Sequence, residues 1–142
     1  EEPDVSETSG LIDTPVETNN NELEKTNMIN LQIGEQTLTA ELADNTSAQA
    51  FAELLREGPV TVQMHDYGNF EKVGPLPTSL PENNEQITTE PGDIILYQGN
   101  SVTVYYDVNT WNFTRLGKVQ GVTQQEFKDI LGEGNVEITF SV

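Results

Sequence analysis

The chain has 142 residues, enough for one domain of ordinary size. Its formal charge of −18, from 24 Asp and Glu against six Lys and Arg, argues against nucleic acid as a partner, because phosphate binding needs clustered cations. It disfavours an anionic membrane surface for the same reason. With no cysteine, disulfides, thiolate catalysis and Cys-based zinc sites are excluded, and no apolar run approaches the length of a membrane span.

The charge is unevenly spread. Residues 1–27, EEPDVSETSGLIDTPVETNNNELEKTN, hold eight acids, one Lys and no aromatic, whereas residues 28–142 hold every Phe, Tyr and Trp. Such a leader buries too little apolar surface to offset the entropy of ordering it, so it reads as a disordered acidic linker in front of one domain at 28–142. Acidic Ser/Thr/Asn linkers often tether exported bacterial domains. The expectation is therefore an exported, envelope-tethered or extracellular lipoprotein-like chain, with a cytoplasmic protein as the alternative.

Within the domain, Ile29, Leu31 and Ile33 alternate with polar residues, turn at Gly34-Glu35, and are followed by Leu38, Ala40 and Leu42. This spacing predicts a β-hairpin with one face in a core. The period then changes. Ala48, Phe51, Ala52 and Leu55 form a helical stripe, with Thr46 and Gln49 as a capping box and Gly58-Pro59 as the stop. Val60, Val62 and Met64 return to strand alternation. A long loop is expected from Tyr67 to Gln86, through the breakers of GPLPTSLP. Ile94–Tyr97 and Val102, Val104 and Tyr106 make a strand pair about Gly99-Asn100. Asn109 to Trp111 reads as a loop and Phe113 to Val119 as a strand. Thr123 and Glu126 cap a second helix with Phe127, Ile130 and Leu131 on its apolar face and Gly132 at its end. A final strand places Val136, Ile138, Phe140 and Val142 inward. The expected architecture is mainly β: a closed barrel of about eight strands, its ends capped by two short helices.

This order resembles that of the cyclophilins. A closer resemblance is to bacterial cyclophilin-like proteins of uncharacterised function. It rests on the runs Tyr67-Gly68-Asn69-Phe70-Glu71-Lys72-Val73-Gly74-Pro75-Leu76, Ile87-Thr88-Thr89-Glu90-Pro91-Gly92-Asp93-Ile94 and Trp111-Asn112-Phe113-Thr114-Arg115-Leu116-Gly117-Lys118. The resemblance implies a cyclophilin-like barrel. In true cyclophilins, prolyl isomerisation rests on an Arg in a Phe-His-Arg run, whose guanidinium lowers amide double-bond character against a barrier of roughly 20 kcal/mol. The matching run here is Met64-His65-Asp66, with a carboxylate where the cation belongs. Standard isomerase activity is therefore not expected.

Candidate binding residues follow from position. His65 is the only histidine, so no His-based metal site exists, and it shares a strand face with Thr61 and Gln63. Tyr67, Phe70 and Trp111 sit at loop edges, where aromatics line clefts, and Arg115 is one of two arginines and a candidate anchor for a carboxylate or carbonyl. The bland counterparts are a structural His65, core packing for Phe70 and Trp111, and an internal ion pair for Arg115. The acid pairs Glu90/Asp93 and Glu82/Glu85 lack EF-hand spacing. No catalytic set, metal or cofactor is indicated. The expected partner is a small molecule or peptide, and the oligomeric state is left open. Three readings stand: a binding module, a divergent prolyl isomerase or other small-substrate enzyme, and a purely structural domain.

Overall fold

A computed structural model describes residues 27–68 and 71–142. The linker expected over 1–27 lies, Asn27 apart, outside the described residues, as does Phe70. Among the described residues the chain forms β1 (Met28–Ile33), β2 (Gln36–Leu42), α1 (Thr46–Arg56), β3 (Val60–Tyr67), β4 (Glu71–Pro75), β5 (Glu85–Thr88), β6 (Asp93–Tyr97), β7 (Ser101–Tyr105), β8 (Thr110–Gln120), α2 (Gln124–Leu131) and β9 (Val136–Ser141).

The alternations seen in the sequence set the pairing. Ile29, Leu31 and Ile33 of β1 face the interior opposite Ala40, Leu38 and Gln36 of β2. Ile138 and Phe140 of β9 sit between β1 and β3, opposite Ile33 and Leu31 on one side and Val62 and Val60 on the other. Strand order runs β2-β1-β9-β3-β4-β7-β6-β8, all antiparallel, and β8 returns to β2 through the pairs Ala40↔Val119 and Leu42↔Gly117. Eight strands thus close a barrel with no free edge among them. The ninth, β5, pairs with the first residues of β8, outside the ring.

Both helices feed the same interior. α1 spans the connection from β2 to β3 and α2 the one from β8 to β9, at opposite ends of the barrel. Phe51 and Leu55 of α1 and Phe127 and Leu131 of α2 are buried in the main core, with Phe51 edge-on to Phe140 at 5.6 Å between ring centres. Side chains of this size contribute about 1.5–3 kcal/mol each when fully buried. α2 starts as expected: the Thr123 hydroxyl accepts from the Glu126 N–H at 3.1 Å, while Glu126 accepts from the Thr123 N–H at 2.9 Å. α1 differs from expectation. Its cap is Asn45, whose Oδ1 accepts from the Ala48 N–H at 2.7 Å.

Two segments read as loops contain strands. The stretch from Tyr67 to Gln86 holds β4 and the start of β5, and Thr110 and Trp111 begin β8. No helix among the described residues is long and apolar enough to cross a membrane.

Candidate functional site

Strand register defines what the outer face of the barrel presents. On β7, Val102 and Val104 point inward, so Ser101, Thr103 and Tyr105 point outward. On β4 the outward residues are Glu71 and Val73, and on β3 they are His65 and Tyr67. One cross-strand row therefore reads Tyr67–Glu71–Tyr105, and the next reads His65–Val73–Thr103–Ile95.

Over this face lies the ribbon formed by β5 and the beginning of β8. Ile87 and Phe113 of the ribbon close on Ile95 and Tyr105 of the barrel wall, a small apolar cluster distinct from the main core. The rings of Tyr105 and Phe113 are 5.5 Å apart. This explains why the sequence around Ile94–Leu96 is apolar without alternation: Ile94 and Leu96 fill the barrel, and Ile95 packs under the ribbon.

Where the ribbon stops short of β3 and β4, a cleft of about 450 Å³ remains. Tyr67, Glu71 and Val73 form one wall, and Asn109, Trp111 and Phe113 the other. Tyr97, Gln98 and Ser101 close one end over Tyr105 at the base. Trp111 is 65% exposed, Tyr67 64% and Tyr97 41%. Among the described residues these are the exposed aromatics, and all three ring this one opening. Gln98 and Gly99 hold the tight turn between β6 and β7, with Gln98 at a left-handed φ of 56° that non-glycine residues adopt at a cost.

Glu71 is the charged group of this lining, and it is buried. Burial pushes its carboxyl above the ordinary value, against which a hydrogen bond from Tyr105 acts in the other direction. Burial also raises the Tyr105 phenol. Asn109 donates to that phenol, and the neighbouring Glu71 raises it further. Asn109, Tyr105 and Glu71 thus lie side by side in the lining and influence one another's ionisation. Beside it on the same face, the buried Thr103 hydroxyl has no hydrogen-bond partner.

The residues singled out from sequence are partly brought together. Tyr67 and Trp111 face each other across the cleft. His65 is exposed on the outer face opposite Val73, one row away, and is not in the lining. Arg115 lies at the far end of the His65 row, four strand spacings off, on the order of 15–20 Å along the sheet. It forms an ion pair with the buried Asp93 at 3.2 Å. Glu71, Tyr97, Tyr105 and Asn109 were not anticipated. The signal for Glu71 was its even spacing from Tyr67 and Val73 once β4 is counted as a strand.

A larger depression of about 850 Å³ lies at the α2 end, near Asp66, Tyr106 and Lys128. The polar groups around Asp66 are already engaged with one another. Asp66 forms an ion pair with the fully buried Lys72 at 2.8 Å and accepts from Tyr106 Oη at 3.0 Å and from the Gly134 N–H at 2.8 Å, while Lys72 donates to the Gly134 carbonyl at 2.6 Å. Lys72 holds the Asp66 carboxyl below its ordinary value. Lys128 lies over the Tyr106 ring, 5.9 Å from its centre. This is a closed structural network, so the aromatic cleft is the better candidate. Among the described residues, no three imidazoles or carboxylates converge as a metal site requires.

The barrel, its closure and its two plugs agree with a family model for the cyclophilin-like family, which matches residues 31–141. The chain belongs to the cyclophilin-like family. A solved structure of McbB in complex with tryptophan has the same fold as this cyclophilin-like domain, with a TM-score of 0.57 and 18% sequence identity. The match covers 80% of this chain and 44% of McbB, so the chain spans less than half the length of that protein. No curated protein matches the sequence.

Proposed function

We propose that this cyclophilin-like domain is a binding module that holds a small molecule or a short peptide in the cleft between β3–β4 and the β5–β8 ribbon, without standard prolyl isomerase activity. The observation that carries the reading is the convergence of Tyr67, Tyr97 and Trp111 on one opening. Exposed aromatics gathered around a concave site with a few polar groups are the usual make-up of a ligand pocket. That McbB is found with tryptophan, a small aromatic molecule, is in keeping with it.

The isomerase is disfavoured on electrostatic grounds. Twisting a prolyl amide calls for a cation or strong donor at the amide nitrogen or its neighbouring carbonyl. The residue at the position of the cyclophilin arginine is Asp66, and it is held in an ion pair with Lys72 at the α2 end of the barrel. Arg115 is held by Asp93 and does not line the cleft.

Trp111 is the only tryptophan, so its fluorescence reports on the cleft directly. A thermal-shift and fluorescence screen of small molecules and peptides is expected to give ligands whose thermal shift disappears in Trp111→Ala and persists in Arg115→Ala. Equal responses in all three proteins would remove the cleft from consideration. A coupled prolyl-peptide assay is expected to run at the uncatalysed rate. Turnover that is lost in His65→Ala or Trp111→Ala would establish the divergent isomerase instead.

A further inference from the structure

We infer that the cleft selects a positively charged organic ligand, a protonated amine or guanidinium attached to a flat or short apolar body, a conclusion that rests on the cleft being a binding site.

Three features converge on this chemistry. Among the described residues, the lining contains one carboxylate, Glu71, and neither Lys, Arg nor His. The other described cations are committed elsewhere or lie away from the opening. Lys72 pairs with Asp66, Arg115 with Asp93 and Lys118 with Glu90; Lys128 sits on Tyr106, and Arg56 is on α1. A buried carboxylate without a cationic neighbour is costly unless a partner arrives. The Tyr105 phenol beside Glu71 partly offsets the burial of its carboxyl, and a carboxylate has acceptor capacity for an incoming N–H donor as well.

The second feature is the ring set. Tyr67, Tyr97 and Trp111 line the same cleft as the carboxylate, and a cation over the face of such a ring gains further attraction, Trp being the strongest partner. The remaining polar groups of the lining, Gln98, Ser101 and Asn109, all carry oxygen acceptors. The third feature is the field. A chain of charge −18 draws cations toward every concave part of its surface and repels anions.

The cation arises either from a free amine or from the lysine side chain of a peptide, and the test separates them. Benzylammonium, benzyl alcohol and benzoate share one ring and differ in charge. Titrated against Trp111 fluorescence and by calorimetry, benzylammonium is expected to bind at least about tenfold more tightly than benzyl alcohol, with no binding of benzoate. Glu71→Gln is expected to cost benzylammonium about tenfold or more and to leave benzyl alcohol unchanged. Trp111→Leu, which keeps apolar bulk and removes the ring, is expected to cost a few-fold, read by calorimetry. A parallel titration with acetyl-Gly-Lys-Gly-amide identifies the source, the tighter ligand naming it. Equal binding of benzylammonium and benzyl alcohol, or an unchanged benzylammonium affinity in Glu71→Gln, overturns the charge selectivity and leaves the cleft as a binding site. If none of the four probes binds, the inference falls, and the screen with Trp111→Ala decides separately whether the cleft binds at all.

Discussion

Glu71 and Asp66 are carboxylates near the two sides of one strand pair, and their surroundings push them in opposite directions. Asp66 has Lys72, Tyr106 and the Gly134 N–H, and its carboxyl is held low. Glu71 faces the cleft wall with only Tyr105 to help, and burial holds its carboxyl high. The sign of the linkage follows. The folded chain holds the Glu71 proton more tightly than the unfolded chain, so Glu71 favours folding fully below its ordinary value of 4.5, and that contribution is lost as pH rises through the folded value. Glu71→Gln keeps an acceptor for Tyr105 and never ionises. It is expected to melt at a higher temperature than the wild type at pH 7, with the gap closing below about pH 4.5 in differential scanning calorimetry. A variant less stable than wild type at pH 7 would show that the ionised carboxylate is already well solvated or paired. A site residue that lowers stability is the expected mark of a group kept for binding, since natural sequences depart from the local optimum where function requires it.

At the scale of elements, the strands legible in the sequence were those whose inward positions are apolar, such as Ile29, Leu31 and Ile33, or Ile138 and Phe140. β4 escaped detection because its inward positions are Lys72 and Gly74. Lys72 reaches the interior because Asp66 and the Gly134 carbonyl receive it, a compensation that comes from β3 and from the turn before β9 and leaves no local pattern. β5 escaped because it is four residues long with one buried side chain, Ile87. The cleft was half legible for the same reason. Tyr67 and Trp111 stand out as aromatics beside breakers, whereas Glu71 in a Gly- and Pro-containing stretch looks like a solvated acid until β4 is recognised. Gly74 shows how tightly that strand is held. A Cβ there would lie 2.5 Å from both the Gln63 carbonyl oxygen and Val62 Cγ1, on the neighbouring β3. Backbone on one side and core on the other leave little room to yield. Gly74→Ala is expected to cost about 1–3 kcal/mol or more, read as a drop of roughly 4–8 °C in melting temperature per kcal/mol. Because β4 carries one wall of the cleft, the same variant is expected to weaken ligand binding. An unchanged melting temperature would mean that β3 and β4 separate freely.

For the whole molecule, closure of β8 onto β2 makes the barrel wall a rigid floor on which the outer ribbon sits. Gly117 is needed there, since a Cβ would fall 2.6 Å from the Glu41 carbonyl oxygen. The same closed shell carries a large excess of negative charge, and two consequences of opposite sign follow. Self-repulsion among the acids opposes compactness, while the field they create favours a cation in the cleft. Salt screens both, with a Debye length of about 10 Å at 0.1 M falling to about 3 Å at 1 M. Raising NaCl from about 20 mM to 0.5 M is therefore expected to raise the melting temperature, because distant like charges outnumber the ion pairs of the described residues, Lys72–Asp66, Arg115–Asp93 and Lys118–Glu90. Over the same range the affinity for benzylammonium is expected to fall and that for benzyl alcohol to stay constant. A melting temperature that decreases with salt would mean that these pairs, above all that of the buried Lys72 with Asp66, outweigh the general repulsion. An ammonium affinity indifferent to salt would confine the attraction to short-range contact with Glu71 and the rings.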